Sequence, residues 1–84
     1  MARKVMLYAI STCGWCKRAK DFLDGCGVAY EVQHVDLLTG EERERVREQV
    51  RQHNPRLSYP TVVVDDTEVI VGYDEGRMRE VLGL

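Results

Sequence analysis

Two cysteines stand three positions apart, Cys13 and Cys16, in the stretch ISTCGWCKRAK that runs from residue 10 to residue 20. Thiols so placed can hold a metal, lock a structure or exchange electrons. The flanking residues favour the last. A near-continuous apolar run, Lys4 to Ile10, precedes the pair and has strand length. Beyond it, Cys16, Ala19, Phe22, Leu23 and Cys26 recur at helical spacing. A helix that starts at or just after Cys13 puts this thiol at its N-terminus. There unpaired backbone N–H groups and the helix dipole favour negative charge, and thiol pKa values fall below the free value. Lys17, one turn along, is expected to add to this. Cys16 shares the inward stripe with Ala19 and Leu23. One thiol is then exposed and activated. The other is sheltered a turn away, within the roughly 4.4–6.8 Å Cα separation that a disulfide needs. Thiol–disulfide exchange uses that asymmetry: an attacker, and a second thiol that resolves the mixed disulfide.

Zinc wants about four ligands. The further candidates are Cys26, His34 and His53, which show no finger-like pairing. On a continuous helix Cys26 lies about 15 Å from Cys16, at roughly 1.5 Å of rise per residue. Covalent haem attachment would want a histidine after the second cysteine, where Lys17 stands. A cluster or zinc ion shared between two chains is the alternative, binding-module reading.

The elements that must position the thiols follow from patterning. Lys4 to Ile10 suits a central strand covered on both faces. Gly25 and Gly27 offer stops for the first helix. Ala29 to Leu37 alternates as a second strand. Thr39 and Glu42 have capping-box spacing, Asn54-Pro55 ends the second helix, and its apolar stripe is essentially Val46 and Val50. Its charge run is a solvated face supported by pairs such as Glu41–Arg45. Thr61 to Val64, a turn at Asp65-Asp66-Thr67, and Glu68 to Val71 form a hairpin. Asp74 caps a short last helix with Met78, Val81 and Leu82 inward. The order is β-α-β-α-β-β-α.

The chain has 84 residues, room for one domain spanning 1–84. With 44% hydrophobic and 31% charged residues it reads as globular. Its 12 Lys plus Arg against 14 Asp plus Glu give a net charge of -2, without the basic excess of a nucleic-acid binder. No apolar run approaches the roughly 18 residues of a membrane span. The opening MARKVMLYAIS imitates a secretory leader, but its apolar part, Val5 to Ile10, is shorter than the roughly 7–15 residues of a signal core. It reads as a first strand, with a cytoplasmic location. In such a reducing compartment a C-x-x-C pair is catalytic or metal-binding rather than structural. A monomer is the expectation.

Among single residues, Cys26 reads as a small buried hydrophobe and Tyr8 as core. Trp15, beside the exposed thiol, reads as a substrate platform. His34 and His53 read as surface or strand residues without a partner that would make a catalytic base. Asp74 reads equally as a plain cap or a binding residue, and Gly72 as a substrate-binding residue or only a backbone bend.

On these motifs the chain resembles the glutaredoxin family of the thioredoxin fold. YAISTCGWCKRAKDFL is similar to that family's strand, redox motif and helix; SYPTVVVDD to its T-V-P strand, with Pro60 in the place of the cis-proline; and VGYDEG to its glycine followed by acidic residues, with Gly72, Asp74 and Glu75 matching. The resemblance implies a four-stranded mixed sheet flanked by three helices. It also implies reduction of protein or mixed disulfides, as an electron carrier in redox homeostasis that needs no bound cofactor. Cys13 would be the nucleophile and Cys16 the resolving thiol. A cis Pro60 would bring the Tyr59 backbone beside the sulfurs, where it can pair with an extended substrate. Asp74 would offer its carboxylate to the γ-glutamyl end of glutathione, a co-substrate of the family. The departures are Cys13-Gly14-Trp15-Cys16 for the usual C-P-Y-C, Ile10 for a lysine three residues before the nucleophile, and Tyr59 for a smaller residue. Ile10 removes a charge suited to glutathione's carboxylate. The reductant expected is therefore a thioredoxin-reductase-type flavoenzyme, with glutathione a poor second.

Overall fold

The structure, a computed structural model, describes residues 4–84. Strand β1 (Val5–Ala9) leads into helix α1 (Gly14–Gly25), followed by β2 (Glu31–His34), α2 (Gly40–His53), β3 (Thr61–Val64), β4 (Glu68–Val71) and α3 (Glu75–Leu82). The strands form one mixed sheet in the order β2-β1-β3-β4. β1 runs parallel to β2 and antiparallel to β3, and β4 is antiparallel to β3. This is the expected α/β, thioredoxin-like order.

Side-chain alternation along the central strands divides the core into two layers. Val5, Leu7 and Ala9 of β1 and Val62 and Val64 of β3 face one way, onto Ala19 and Leu23 of α1 and Met78 and Val81 of α3. Tyr8 and Val63 face the other way, onto Val46 and Val50 of α2 and onto Val35. β1 and β3 are therefore the paired, doubly covered strands, which explains their unbroken apolar sequences. The thin stripe on α2 suffices because Val50 is fully buried and Val46 nearly so; burying each aliphatic side chain contributes roughly 1.5–3 kcal/mol.

Several local expectations needed correction. β1 is a residue shorter at each end than expected, and residues 1–3 of the leader-like opening lie outside the described residues. The second strand stops at His34, and Val35–Leu37 turn as one short 3₁₀ segment. The turn rotates Val35 beneath α2 and brings Asp36 back to Ser11. Thr39 is the N-cap of α2, but its side chain makes no capping bond. The ion pairs on α2 are Glu44–Arg47 and Glu48–Arg51, three residues apart, rather than Glu41–Arg45. Helix α1 ends with Cys26 as its cap and Gly27 at φ 68°, where the Val28 N–H reaches back to the Leu23 carbonyl. A left-handed residue there suits glycine. Cys26 is consequently half-buried at the cap and outside the core. Among the described residues no helix is long and apolar enough to cross a membrane.

Candidate active site

The thiols lie where the buried central strand gives way to α1. Cys13 is the N-cap residue, in extended conformation, and its N–H donates to the Ile10 carbonyl at 3.2 Å. Its Sγ accepts the Cys16 N–H at 3.2 Å. One of the helix's unpaired donors is thus aimed at sulfur, the arrangement that stabilises negative charge there. No acidic residue sits in the first turn to oppose it. The loop before Cys13 is held from the far side of the sheet edge, because the Ser11 N–H and hydroxyl both donate to the Asp36 carboxylate. Those bonds hold the Asp36 carboxyl below its ordinary value, although the group is exposed.

Cys16 sits beneath Cys13, 4% exposed among Ala9, Ala19 and Val62 of the core. Burial, and then its contact with Cys13, push its thiol up to about 12. All three cysteines are free thiols. Cys13 is half-exposed and Cys16 buried, the asymmetry expected of attacker and resolver.

Opposite them is the turn into β3. The Tyr59–Pro60 bond is cis, and the Tyr59 carbonyl oxygen lies 3.9 Å from Cys13 Sγ, accepting from the thiol. The turn is held by a buried amide. Asn54, 3% exposed, donates through Nδ2 to the Ser58 carbonyl at 3.1 Å, the Ser58 hydroxyl at 3.0 Å and Thr61 Oγ1 at 3.0 Å. Its Oδ1 accepts from the Arg56 N–H at 3.2 Å. In sequence Asn54 was a helix stop; the signal for more was its place six residues before the proline, beside Ser58 and Thr61.

A groove of about 250 Å³ is lined by Trp15, Tyr59, Pro60, Gly72 and Tyr73. Trp15 is 58% exposed and stacks on Tyr73 at 6.0 Å between centroids, with the Arg18 guanidinium 5.1 Å from its ring. Tyr73 also meets Phe22 edge-on. Tyr73 did not stand out in the sequence, although it lies between two singled-out residues, Gly72 and Asp74. Gly72, at φ 79°, turns the chain out of β4 and donates its N–H to the Pro60 carbonyl at 2.8 Å, so it braces the groove as well as bending. Asp74 caps α3 by accepting the Arg77 N–H at 3.0 Å. Lys17 lines the hollow under the thiols, but its ammonium pairs with Asp21 at 2.9 Å in exposed surroundings.

On the other side of Tyr59, Arg43 and Arg47 line a hollow of about 130 Å³ together with Ile10 and Leu57. Burial pushes the Tyr59 phenol up, against the pull of Arg47 and Arg43. Arg51, on the same helix, is paired with Glu48. A third hollow, beneath the N-terminal turn of α1, is lined by both cysteines and by His34. Among the described residues no group of three or more His, Cys, Asp or Glu side chains is placed to hold a metal ion.

The glutaredoxin family profile matches residues 5–69 of the chain. A glutaredoxin from Methanosarcina mazei superposes with a TM-score of 0.92 and 44% identity, over 96% of this chain and 79% of that one. Methanoredoxin from Methanosarcina acetivorans superposes with a TM-score of 0.93 and 43% identity, over 96% and 85% of the two chains. The Gene 56 protein of Mycobacterium phage D29 is 32% identical over 98% of this chain and 86% of its own length. With the thiol pair at a helix N-terminus facing the turn into β3, these likenesses identify the chain as a member of the glutaredoxin family, with the thiol–disulfide oxidoreductase character of that family.

Proposed function

We propose that this protein reduces protein disulfides and mixed disulfides by a dithiol route and serves as an electron carrier in redox homeostasis. The Cys13 thiolate attacks one sulfur of the substrate disulfide; a Cys13–S–R bond forms and R′S⁻ leaves and takes a proton. Cys16 then attacks Cys13 Sγ, the Cys13–Cys16 bond forms, and RS⁻ leaves. Two electrons pass from the cysteine pair to the substrate, and an external reductant returns them. The cysteines carry the electrons, so the reaction calls for no bound cofactor. The observation that supports this reading most is the asymmetry of the pair: Cys13 half-exposed with a backbone N–H aimed at its sulfur, Cys16 buried directly behind it.

The groove between Trp15, Tyr73 and Tyr59 suits an extended segment that pairs with the Tyr59 backbone, and Asp74 follows Tyr73 of its lining in the chain. For the reductant we favour a dithiol flavoenzyme over glutathione. Ile10 offers no cation, and of the two guanidinium groups beside it Arg47 also leans toward Glu44 at 3.9 Å. Losing one exposed charge contact costs about 1 kcal/mol, roughly fivefold in affinity, so glutathione is weakened rather than excluded. The test of the dithiol route is a pair of variants. Cys16→Ser is expected to accumulate stable mixed disulfides with substrate, and Cys13→Ser to lose all turnover. Equal residual turnover in both would overturn the division of roles.

A further inference from the structure

The proposed route leaves one proton unassigned. Cys16 must lose its proton to attack Cys13, yet burial, the main cause of its raised value, persists after Cys13 has entered a mixed disulfide. The groove does not reach Cys16. The hollow beneath the first turn of α1 does: about 200 Å³, lined by Cys13, Cys16, Lys17, Lys20 and His34.

His34 reaches that hollow through strand register. It pairs with Ala9 across β1 and β2, and Val32 pairs with Leu7. Leu7 and Ala9 face the α1 layer, and Val32 packs there too. Residues two apart on a strand share a face, so His34 lies under α1, on the side where Cys16 is buried. The adjacent 3₁₀ turn carries the chain away immediately afterwards, which leaves His34 half-buried at the open end of β2.

From this placement we propose that the His34 imidazole accepts the Cys16 proton, through water in the hollow, during resolution of the mixed disulfide. The inference rests on the dithiol reading above and adds a residue to it. In the step, the Cys16 S–H bond breaks and the proton passes to imidazole. The sulfur's electron pair forms the Cys13–Cys16 bond, the Cys13–S–R bond breaks, and RS⁻ departs, to be protonated by the imidazolium or by solvent. Imidazole suits the task because it is the side chain that ordinarily changes charge between about pH 5 and 8. The charged groups around it are few. α1 contributes Lys17, held by Asp21, and Lys20. The strand's continuation contributes Asp36, whose carboxylate interacts electrostatically with His34. β1 contributes only the apolar Leu7, Ala9 and Ile10.

The experiment separates the two chemical steps. Reduced protein is mixed with a disulfide peptide that releases a chromophoric thiol on attack by Cys13. Decay of the mixed disulfide is followed by acid quenching and mass analysis from pH 5 to 9. His34→Gln is expected to slow the decay about 100-fold, the lower end for positioned proton transfer, and to remove a limb of its pH profile. His34→Ala is expected to regain a faster decay on addition of imidazole, which the hollow can admit, and a purely structural role would not respond in that way. Decay in His34→Gln with the wild-type rate and limb would overturn the assignment and leave the dithiol route standing. Decay in Cys16→Ser as fast as in wild type would instead overturn the route itself. Circular dichroism of each variant checks that the fold is retained. Slow decay in a folded His34→Ala that imidazole does not accelerate also counts against the assignment.

Discussion

The amide of Asn54 is the buried polar group on which the active-site turn depends, and its removal tests the geometry most directly. Asn54→Ala deletes donors to Ser58 and Thr61 and the acceptor for the Arg56 N–H. Part of the loss is covered, because Thr61 Oγ1 still donates to the Ser58 carbonyl at 2.7 Å. The hydroxyl of exposed Ser58 can turn to water, so two bonds, the one to Thr61 Oγ1 and the one from the Arg56 N–H, are lost without replacement, at about 1 kcal/mol each. A void the size of an amide, in a site 3% exposed, adds about another 1 kcal/mol. The sum is about 3 kcal/mol, which for a domain of this size lowers Tm by roughly 12–24 °C. Because Ser58 precedes Tyr59, the loosened turn also lets the Tyr59 carbonyl drift from Cys13 Sγ, so thiol exchange should slow even well below the new Tm. Urea denaturation gives the stability, and stopped-flow release of a chromophoric thiol gives the exchange rate. Asn54→Asp should be worse than Asn54→Ala, since a carboxylate accepts where the site needs donors. A loss under about 0.5 kcal/mol, within the range of ordinary surface changes, with unchanged exchange, would refute the argument that this amide organises the turn.

Brief iodoacetamide treatment of the reduced protein near neutral pH should label Cys13 before Cys16 and Cys26. Labelling of Cys16 should stay slow until strongly alkaline pH, because its thiol is held at about 12; mass mapping across pH checks both. The lowered value of Asp36 means that the Ser11–Asp36 tie stabilises the fold above the ordinary carboxylate pKa and is lost as pH falls through the folded value. Asp36→Asn should therefore flatten the acid side of a stability–pH curve, and an unchanged curve would contradict the tie. Reduction of the oxidised protein should be faster with a thioredoxin-reductase-type donor than with glutathione, and Arg43→Ala/Arg47→Ala should slow the glutathione reaction further. Initial rates measured with each reductant separately decide it: faster reduction by glutathione in the wild type would mean that Arg43 and Arg47 fully replace the missing lysine.

What the sequence determined by itself was local and periodic. The apolar run before Cys13, the change to helical spacing after it, the Asp65-Asp66-Thr67 turn and the Asp74 cap each rest on neighbours within a few residues. Each is found in the structure, because propensity and side-chain period act over that range. Where local signals misled, tertiary packing outweighed them. The alternation from Ala29 to Leu37 promised a longer strand, but Val35 is more deeply buried under α2 if the chain turns after His34. The inward stripe of α1 promised a buried Cys26, but Gly27 ends the helix before that residue is covered. The partners of the thiols were hidden for a different reason. Tyr73 stacks on Trp15, Asn54 holds the turn beside Tyr59, Arg43 and Arg47 flank Ile10, and His34 shares a hollow with Cys16. Each contact joins residues far apart in the chain or set by strand register. Such contacts depend on how the sheet stacks its helices, and no spacing along the chain encodes which side chains that stacking brings together.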